Sequence, residues 1–349
     1  MTDTVGIASG PDFDPRSAEH IFIINPVSFQ RKPDLAAVID SIPAVLDKHG
    51  CDRRHIHVSR YPRDAIGAVS RYLNGVPGRR SARVYSVGGD GILFDCLNAV
   101  MGLENVELAV IPYGRENDFV RAFGSGAADR FKDIGAQLVS PSIPTDVIYC
   151  DGNYAINFCA VGLEPASILW RTDFRDRHPL INGFLNLINK KLIYFISNYA
   201  ASRNENYFRQ NYNITADGGR LDGVYSAIHI SNGPCYCRFM TPTGKSVPDD
   251  GLLELVTGFA DTKKSASKLL PLLCYGRHYG YANNEKIAFG YRPVRELTIS
   301  SDEPLIINLD GEMFYDSSMN VKIIPGGVRI VAPDGARYSG GPAGEKICP

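Results

Sequence analysis

From His20 to Pro112 the chain alternates short apolar runs with stretches of helical spacing, and this alternation constrains its fold more than any other feature. Ile21 to Ile24 is an apolar run stopped by Asn25-Pro26. Pro33 opens a helical stretch with Leu35, Val38, Ile39, Ile42 and Leu46 on one face, closing at Gly50. Ile56 to Ser59, Arg83 to Val87 and Val106 to Ile111 read as strands, with helical segments at Ala65 to Leu73 and Leu93 to Val100. Parallel strands need crossover connections, so the alternation predicts a Rossmann-like α/β domain with a mostly parallel sheet covered by helices. Ligands of such sheets sit beyond the carboxyl ends of the strands, which directs attention to the loops after Ile24, Val58, Val87 and Ile111.

After about Thr145 the texture changes. Asp146 to Cys150 and Tyr154 to Cys159 flank Asp151-Gly152, and Tyr212 to Ala216 and Val224 to Ser231 flank Asp217-Gly218-Gly219. Leu252 to Thr257 and Leu305 to Leu309 read as further strands. Turn pairs at such spacing predict an all-β second domain, sandwich-like or an open barrel. Helical excursions at Ile181 to Ala201 and Lys263 to Tyr275 interrupt it. The expected division is a disordered N-terminal tail (1–19), an α/β domain (20–145) and a β-rich domain (146–318). A segment returning to the first domain (319–333) and a flexible, Gly-rich tail (334–349) complete it.

Composition excludes more than it selects. With 44% hydrophobic and 21% charged residues the chain is globular, and a formal net charge of −1 gives no global attraction for nucleic acid. Eight cysteines lack the rhythm of a metal site, and Met1 to His20 does not resemble a secretory signal, which fits a reducing cytoplasm. Asn182, Asn186, Asn189, Lys190, Lys191 and Asn198 break the apolar stretch from Pro179 to Ala201, so it reads as an amphipathic helix rather than a membrane span. His55 and His57 frame one strand face, and His229 and His278 lack triad partners at telling spacing. Lys263, Lys264 and Lys268 with Leu269, Leu270, Leu272 and Leu273 form a basic amphipathic stretch, read first as a solvated helix face. A homodimer is the default oligomeric expectation.

Chemistry concentrates in three turns. Val87-Gly88-Gly89-Asp90-Gly91 runs from a strand into a helix. Its glycines let the backbone approach a phosphate, and the helix start offers unpaired N–H groups. The spacing is not that of the dinucleotide fingerprint. Ile111-Pro112-Tyr113-Gly114-Arg115-Glu116-Asn117-Asp118-Phe119 repeats the strand, loop and helix plan, so the two loops can hold the two ends of a polyphosphate. Leu309-Asp310-Gly311-Glu312 is an acidic turn distant in sequence.

The ordered set resembles the diacylglycerol-kinase catalytic-domain family, related to sphingosine kinases and distantly to NAD kinases. It comprises Asn25-Pro26-Val27-Ser28, Gly88 to Gly91, Pro112 to Phe119, Ala160-Val161-Gly162-Leu163-Glu164, Asp250-Gly251-Leu252-Leu253 and Asp310-Gly311-Glu312. The resemblance covers residues 20 to 333 and implies an ATP- and Mg²⁺-dependent kinase acting on a lipid hydroxyl at the bilayer surface. It implies that Gly88, Gly89, Asp90 and Gly91 line the ATP phosphates, with Asn25, Ser28, Ser59, Gly114, Arg115 and Asn117 beside them. Glu312 matches the family's general base and Asp118 the acid coupled to it, while the residues leave open whether Asp90 takes the proton instead. Asp250, with main-chain oxygens near Val247 and Leu252, matches a structural Mg²⁺ site, for which oxygen ligands suit a hard cation.

Three departures bear on activity. Ile92 stands where the family has Thr, Phe29 where it has Gly, and Arg115-Glu116 where it has Thr and a small residue. Arg115 suits a phosphate, whereas Glu116 brings negative charge towards a triphosphate. The departures keep a nucleotide-binding, lipid-sensing pseudokinase in view as the alternative. Thr241-Pro242-Thr243-Gly244 is similar to a motif of NAD kinases, but Lys245-Ser246-Val247-Pro248 leads straight into Asp249-Asp250-Gly251 as in lipid kinases.

Overall fold

The computed structural model describes residues 13–74, 81–188, 192–236, 242–244, 246–281 and 285–339. The first domain is built on β1 (Glu19–Ile24), β2 (Arg54–Val58), β3 (Ala82–Gly88) and β4 (Val106–Pro112), all parallel, in the order β2-β1-β3-β4. Side chains of a strand alternate between faces, and β1 supplies both cores. Ile21 and Ile23 pack with Ala65, Val69, Leu93 and Leu97 of the helices Asp64–Asn74 and Asp90–Val100. Phe22 and Ile24 pack with Val38, Ile42 and Leu46 of the helix Lys32–Lys48 on the other face. Each fully buried Ile, Leu, Val or Phe among them contributes about 1.5–3 kcal/mol relative to exposure. Burial on both faces is why β1 and β3 read as near-continuous apolar runs.

The second domain is antiparallel. Its strands are β5 (Ser142–Cys150), β6 (Asn153–Ala155), β7 (Phe158–Gly162), β8 (Gln210–Ala216), β9 (Gly219–Arg220) and β10 (Gly223–Tyr225). They continue with β11 (Ala227–Ser231), β12 (Leu253–Ala260), β13 (Ile287–Val294), β14 (Glu296–Leu309) and β15 (Glu312–Val331). The main path runs β13-β12-β11-β7-β14-β15-β4-β3-β1-β2, so one sheet is continuous through both domains. β15 makes the join: it pairs with β14 and β5 and then lies parallel to β4, with Ile330 opposite Leu108. Asp310 and Gly311, at φ 50° and 97°, form the two-residue turn between β14 and β15, the backbone that an Asp-Gly hairpin requires. This turn presents Glu312 as the first residue of β15.

The elements differ from expectation in several places. A helix at Leu163–Arg177 has no counterpart in the sequence reading, because its second half is dominated by Arg171, Asp173, Arg175, Asp176 and Arg177. The expected helix Ile181 to Ala201 is two, Pro179–Ile188 and Leu192–Ala201; Asn189, Lys190 and Lys191 lie outside the described residues. The expected strand Val224 to Ser231 breaks at Ser226, whose N–H donates to Gly258 O (2.7 Å) and whose hydroxyl donates to Phe208 O. Residues 13–19 are also engaged, with Phe13 under the Arg83 guanidinium at 3.7 Å and Glu19 opening β1. The tail expected from residue 334 is packed as far as residue 339. Tyr338 lies 4.5 Å from the Phe123 ring, and the Ser339 N–H donates to Ala122 O (2.8 Å). Residues 1–12 and 340–349 lie outside the described residues. Cys235 is disulfide-bonded, which the expected reducing cytoplasm does not favour, whereas Cys51, Cys96, Cys150 and Cys159 are free and buried. Among the described residues no helix is long and apolar enough to cross a membrane.

Candidate active site between the two domains

The glycine loops after β3 and β4 are pressed together. The N–H groups of Tyr113 and Gly114 both donate to Gly88 O (2.8 and 2.9 Å), and a Cβ on Gly114 would stand 2.3 Å from Gly89 Cα. Gly88 has φ 156°, and a Cβ there would meet Ile92 Cγ2 at 2.8 Å and Ser28 Oγ at 2.9 Å. The loop after β1 is drawn in as well: the Asn25 N–H donates to Val87 O (2.9 Å), and its side chain accepts the Val27 N–H (3.1 Å). The helix Asp90–Val100 starts at Gly89 with no side-chain cap, so its first N–H groups are presented at the junction of the loops. Asn117, left-handed at φ 50°, donates from its side-chain amide to Gly114 O (2.9 Å).

The loops open onto a cleft of about 450 Å³. From the first domain it is lined by Asn25, Val27, Ser28, Gly89, Asp90, Gly91, Gly114, Arg115, Glu116 and Asp118. From the second come Asn157, Phe158, Ile168, Arg171, Tyr236, Asp310 and Gly311. Two of the lining carboxylates are held by backbone. Asp90 Oδ1 accepts the Asp118 N–H (2.9 Å), and the N–H groups of Phe119 and Asn117 also bond to the carboxylate. Asp310 accepts the N–H groups of Ile156 (2.6 Å), Asn157 (3.1 Å) and Phe158 (2.9 Å). Burial raises both, each to about 6; the Asp310 charge adds to the rise at Asp90, and that of Asp118 to the rise at Asp310. Both are therefore clamps: one holds the third loop against the second, the other holds the β6–β7 connection against the β14–β15 turn.

Behind the cleft wall Glu164 is buried, and burial raises its carboxyl to about 7, against the lowering effect of Tyr236, Asn308 and Arg171. The Tyr236 hydroxyl donates to it, as does the Asn308 amide (3.1 and 3.2 Å). Asn308 Oδ1 in turn accepts the Gly311 N–H (2.8 Å), so Glu164 buttresses the acidic turn through one intermediary. Glu312 borders the cleft without lining it. Its Oε1 is 3.8 Å from where a Gly91 Cβ would be, and its Oε2 accepts Arg63 Nη2 (3.3 Å).

Sequence reasoning placed Asn25, Ser28, Gly89, Asp90, Gly91, Gly114, Arg115 and Asp118 where the structure brings them together on the cleft, with Gly88 and Asn117 shaping its loops. It gave no role to Asp310, Glu164, Asn157, Phe158, Arg171 or Tyr236. The first two sat inside quoted motifs, and the others carry no local signal. Ser59 is not on the cleft: it follows β2, one strand beyond β1, and its hydroxyl donates to Tyr61 O (3.4 Å). Of the oxygens expected to hold Mg²⁺, those of Asp250 and Val247 each accept one backbone N–H. Asp250 Oδ1 accepts the Leu252 N–H (3.0 Å), and Val247 O accepts the Asp249 N–H (2.8 Å). The neighbouring Asp146 carboxylate accepts the N–H groups of Gly251 (2.7 Å) and Gly326 (2.6 Å). Among the described residues no group of three or more His, Cys, Asp or Glu side chains is placed to hold a metal ion, and no step is assigned to one there. Ile92 is buried in the core, Phe29 stacks on Tyr113 (4.5 Å), and Glu116 lines the cleft. Thr241 and Lys245 lie outside the described residues.

Residues 19–149 match the diacylglycerol kinase catalytic domain, and residues 183–332 match the YegS C-terminal NAD kinase beta sandwich-like domain. A Staphylococcus haemolyticus protein whose name proposes a lipid kinase is 25% identical over 285 residues, covering 80% of this chain and 86% of its own length. YtlR of Bacillus subtilis, named in the same terms, is 22% identical over 317 residues, covering 88% of this chain and 98% of its own. A Bacillus anthracis crystal structure titled as a diacylglycerol kinase superposes with a TM-score of 0.62 at 18% identity, covering 91% of this chain and 98% of that one. At such identity the superposition shows the fold alone.

Proposed function

From the premise that the chain belongs to the diacylglycerol kinase catalytic-domain family, as its two matched domains show, we propose that it transfers the γ-phosphoryl group of MgATP to a lipid hydroxyl. The supporting observation is the meeting, at one cleft, of both glycine loops and the Asp310-Gly311-Glu312 turn. The triphosphate lies against Gly88 to Gly91 and Gly114, where backbone N–H groups and the uncapped helix start favour anions. Arg115 and Arg171 supply cationic charge at the same cleft. Phosphoryl transfer requires positioning and charge neutralisation more than covalent help. The acceptor, a diacylglycerol-like lipid, enters from the second-domain wall, where Phe158, Ile168 and Tyr236 line the cleft.

Proton removal falls to Glu312. Asp90 and Asp310 are occupied by backbone N–H groups, whereas Glu312 is partly exposed beside Gly91. Glu312 takes the hydroxyl proton as the substrate oxygen bonds to the γ-phosphorus and the bond to the β-phosphate oxygen breaks, releasing ADP. The test is radiolabel transfer from ATP to a panel of diacylglycerol, a sphingoid base, a polyprenol and phosphatidylglycerol. Glu312→Gln should keep ATP binding and lose roughly 10²–10⁴-fold in transfer. Unchanged turnover would remove Glu312 from the base role. ATP-dependent thermal stabilisation of the wild type without transfer to any lipid would favour a nucleotide-binding sensor. The Glu116 carboxylate beside the triphosphate loops is the observation that keeps this second reading open.

A further inference from the structure

Arg63 precedes the helix Asp64–Asn74 and has φ 65°, a left-handed backbone that residues with a Cβ seldom adopt. The loop is pinned there by buried Asp64, whose carboxylate accepts His57 Nε2 (2.9 Å) and the Arg60 N–H (2.9 Å). From that position the guanidinium lies over the Phe94 ring at 4.7 Å, and Nη1 donates to Asp95 Oδ1 (3.1 Å). Nη2 crosses to the second domain and donates to Glu312 Oε2 (3.3 Å), a residue 249 positions away. One carboxylate oxygen of Glu312 is thus taken by Arg63, and the other is left facing Gly91. With side-chain exposures of 37% and 39%, the pair is of the solvent-screened kind that adds little to stability, so a strained backbone aimed at it points to another use.

Resting on the lipid-kinase reading above, we propose that Arg63 is a positioning residue for Glu312. It orients the carboxylate towards the glycine loop, with one oxygen held by the guanidinium and the other facing Gly91. Arg63 acts through Glu312 and does not itself bind ATP, so its loss falls on kcat rather than on KM for ATP.

Arg63→Gly and Arg63→Lys, each made in the wild type and in Glu312→Gln, test this by kcat, KM and Tm. Glycine is at ease at φ 65°, so Arg63→Gly should keep the wild-type Tm while kcat falls on the order of tenfold to a hundredfold with KM for ATP unchanged. Arg63→Lys should recover part of the loss, because a single ammonium cannot fork between Asp95 and Glu312. Millimolar guanidinium should restore turnover to Arg63→Gly, and in the Glu312→Gln background Arg63→Gly should cost nothing further. An equal loss in both backgrounds, absence of rescue, or a raised KM for ATP at unchanged kcat overturns the proposal while leaving the kinase reading intact. If Glu312→Gln retains no measurable turnover, guanidinium rescue alone decides. Wild-type protein that transfers phosphate to no lipid overturns both together.

Discussion

Alanine at position 114 attacks the contact between the two glycine loops. Its Cβ would stand 2.3 Å from Gly89 Cα, 2.8 Å from Asn117 Oδ1 and 3.1 Å from Gly89 N. Carbon atoms rest about 3.5–4.0 Å apart, so the loops must separate by about 1 Å or more. A side-chain rotation cannot relieve the closest contact, because its partner is backbone. Overpacking of this kind costs about 1–3 kcal/mol, enough to lower Tm by several degrees. A shift of about 1 Å in the phosphate cradle should lower transfer on the order of 100-fold. Gly67→Ala is the control: Gly67 lies in the helix Asp64–Asn74 with only Arg71 Nη1 near its Cβ position, at 3.9 Å. It should stabilise by up to about 1 kcal/mol and leave transfer alone. Thermal unfolding with and without MgATP, together with the radiolabel assay, reads both variants. Gly114→Ala with a wild-type Tm and an undiminished ATP shift would show that the loops are not in contact.

The carboxyls of Asp90 and Asp310 are each raised from the ordinary 3.8 to about 6, so between those values the folded state binds more protons than the unfolded chain. Stability therefore declines as pH rises from about 4 to about 6 and is flat beyond, as far as this pair contributes. The stability advantage of wild type over Asp310→Asn, measured by urea unfolding, should shrink across that window; a pH-independent difference would refute the linkage. Ile92→Thr should not restore a phosphate contact, since Ile92 is only 3% exposed and its Cγ2 abuts Gly88. It should cost about 1–3 kcal/mol through a buried hydroxyl without a partner. Tighter ATP binding at unchanged Tm would place that side chain towards the phosphates instead.

The parallel sheet and its two glycine loops were legible because each rests on a local signal, the apolar period of a strand or helix and the turn chemistry of Gly. Strand order is not such a signal. Ser59 follows an apolar run as Ser28 does, yet β2 lies outside β1, and its loop stops short of the cleft. The helix Leu163–Arg177 was hidden for a different reason: tertiary contacts of its apolar first turns hold it, while its charged second half dilutes the period.

What acidic residues do is the least legible layer. Motif reading casts Glu312 as the base with Asp90 as its rival and passes over Asp310. Asp310 differs because it is saturated by N–H groups lying 152 to 154 positions earlier in the chain, which no spacing rule reports. Asp90 differs because the third loop closes over it. A buried carboxylate bound to several backbone donors fixes the loops that carry them, and those bonds would have to break before it could serve as a base. On the kinase reading proposed above, chemistry passes to the acid whose partner is a solvent-screened cation rather than backbone, and beside Gly91 that acid is Glu312, held by Arg63.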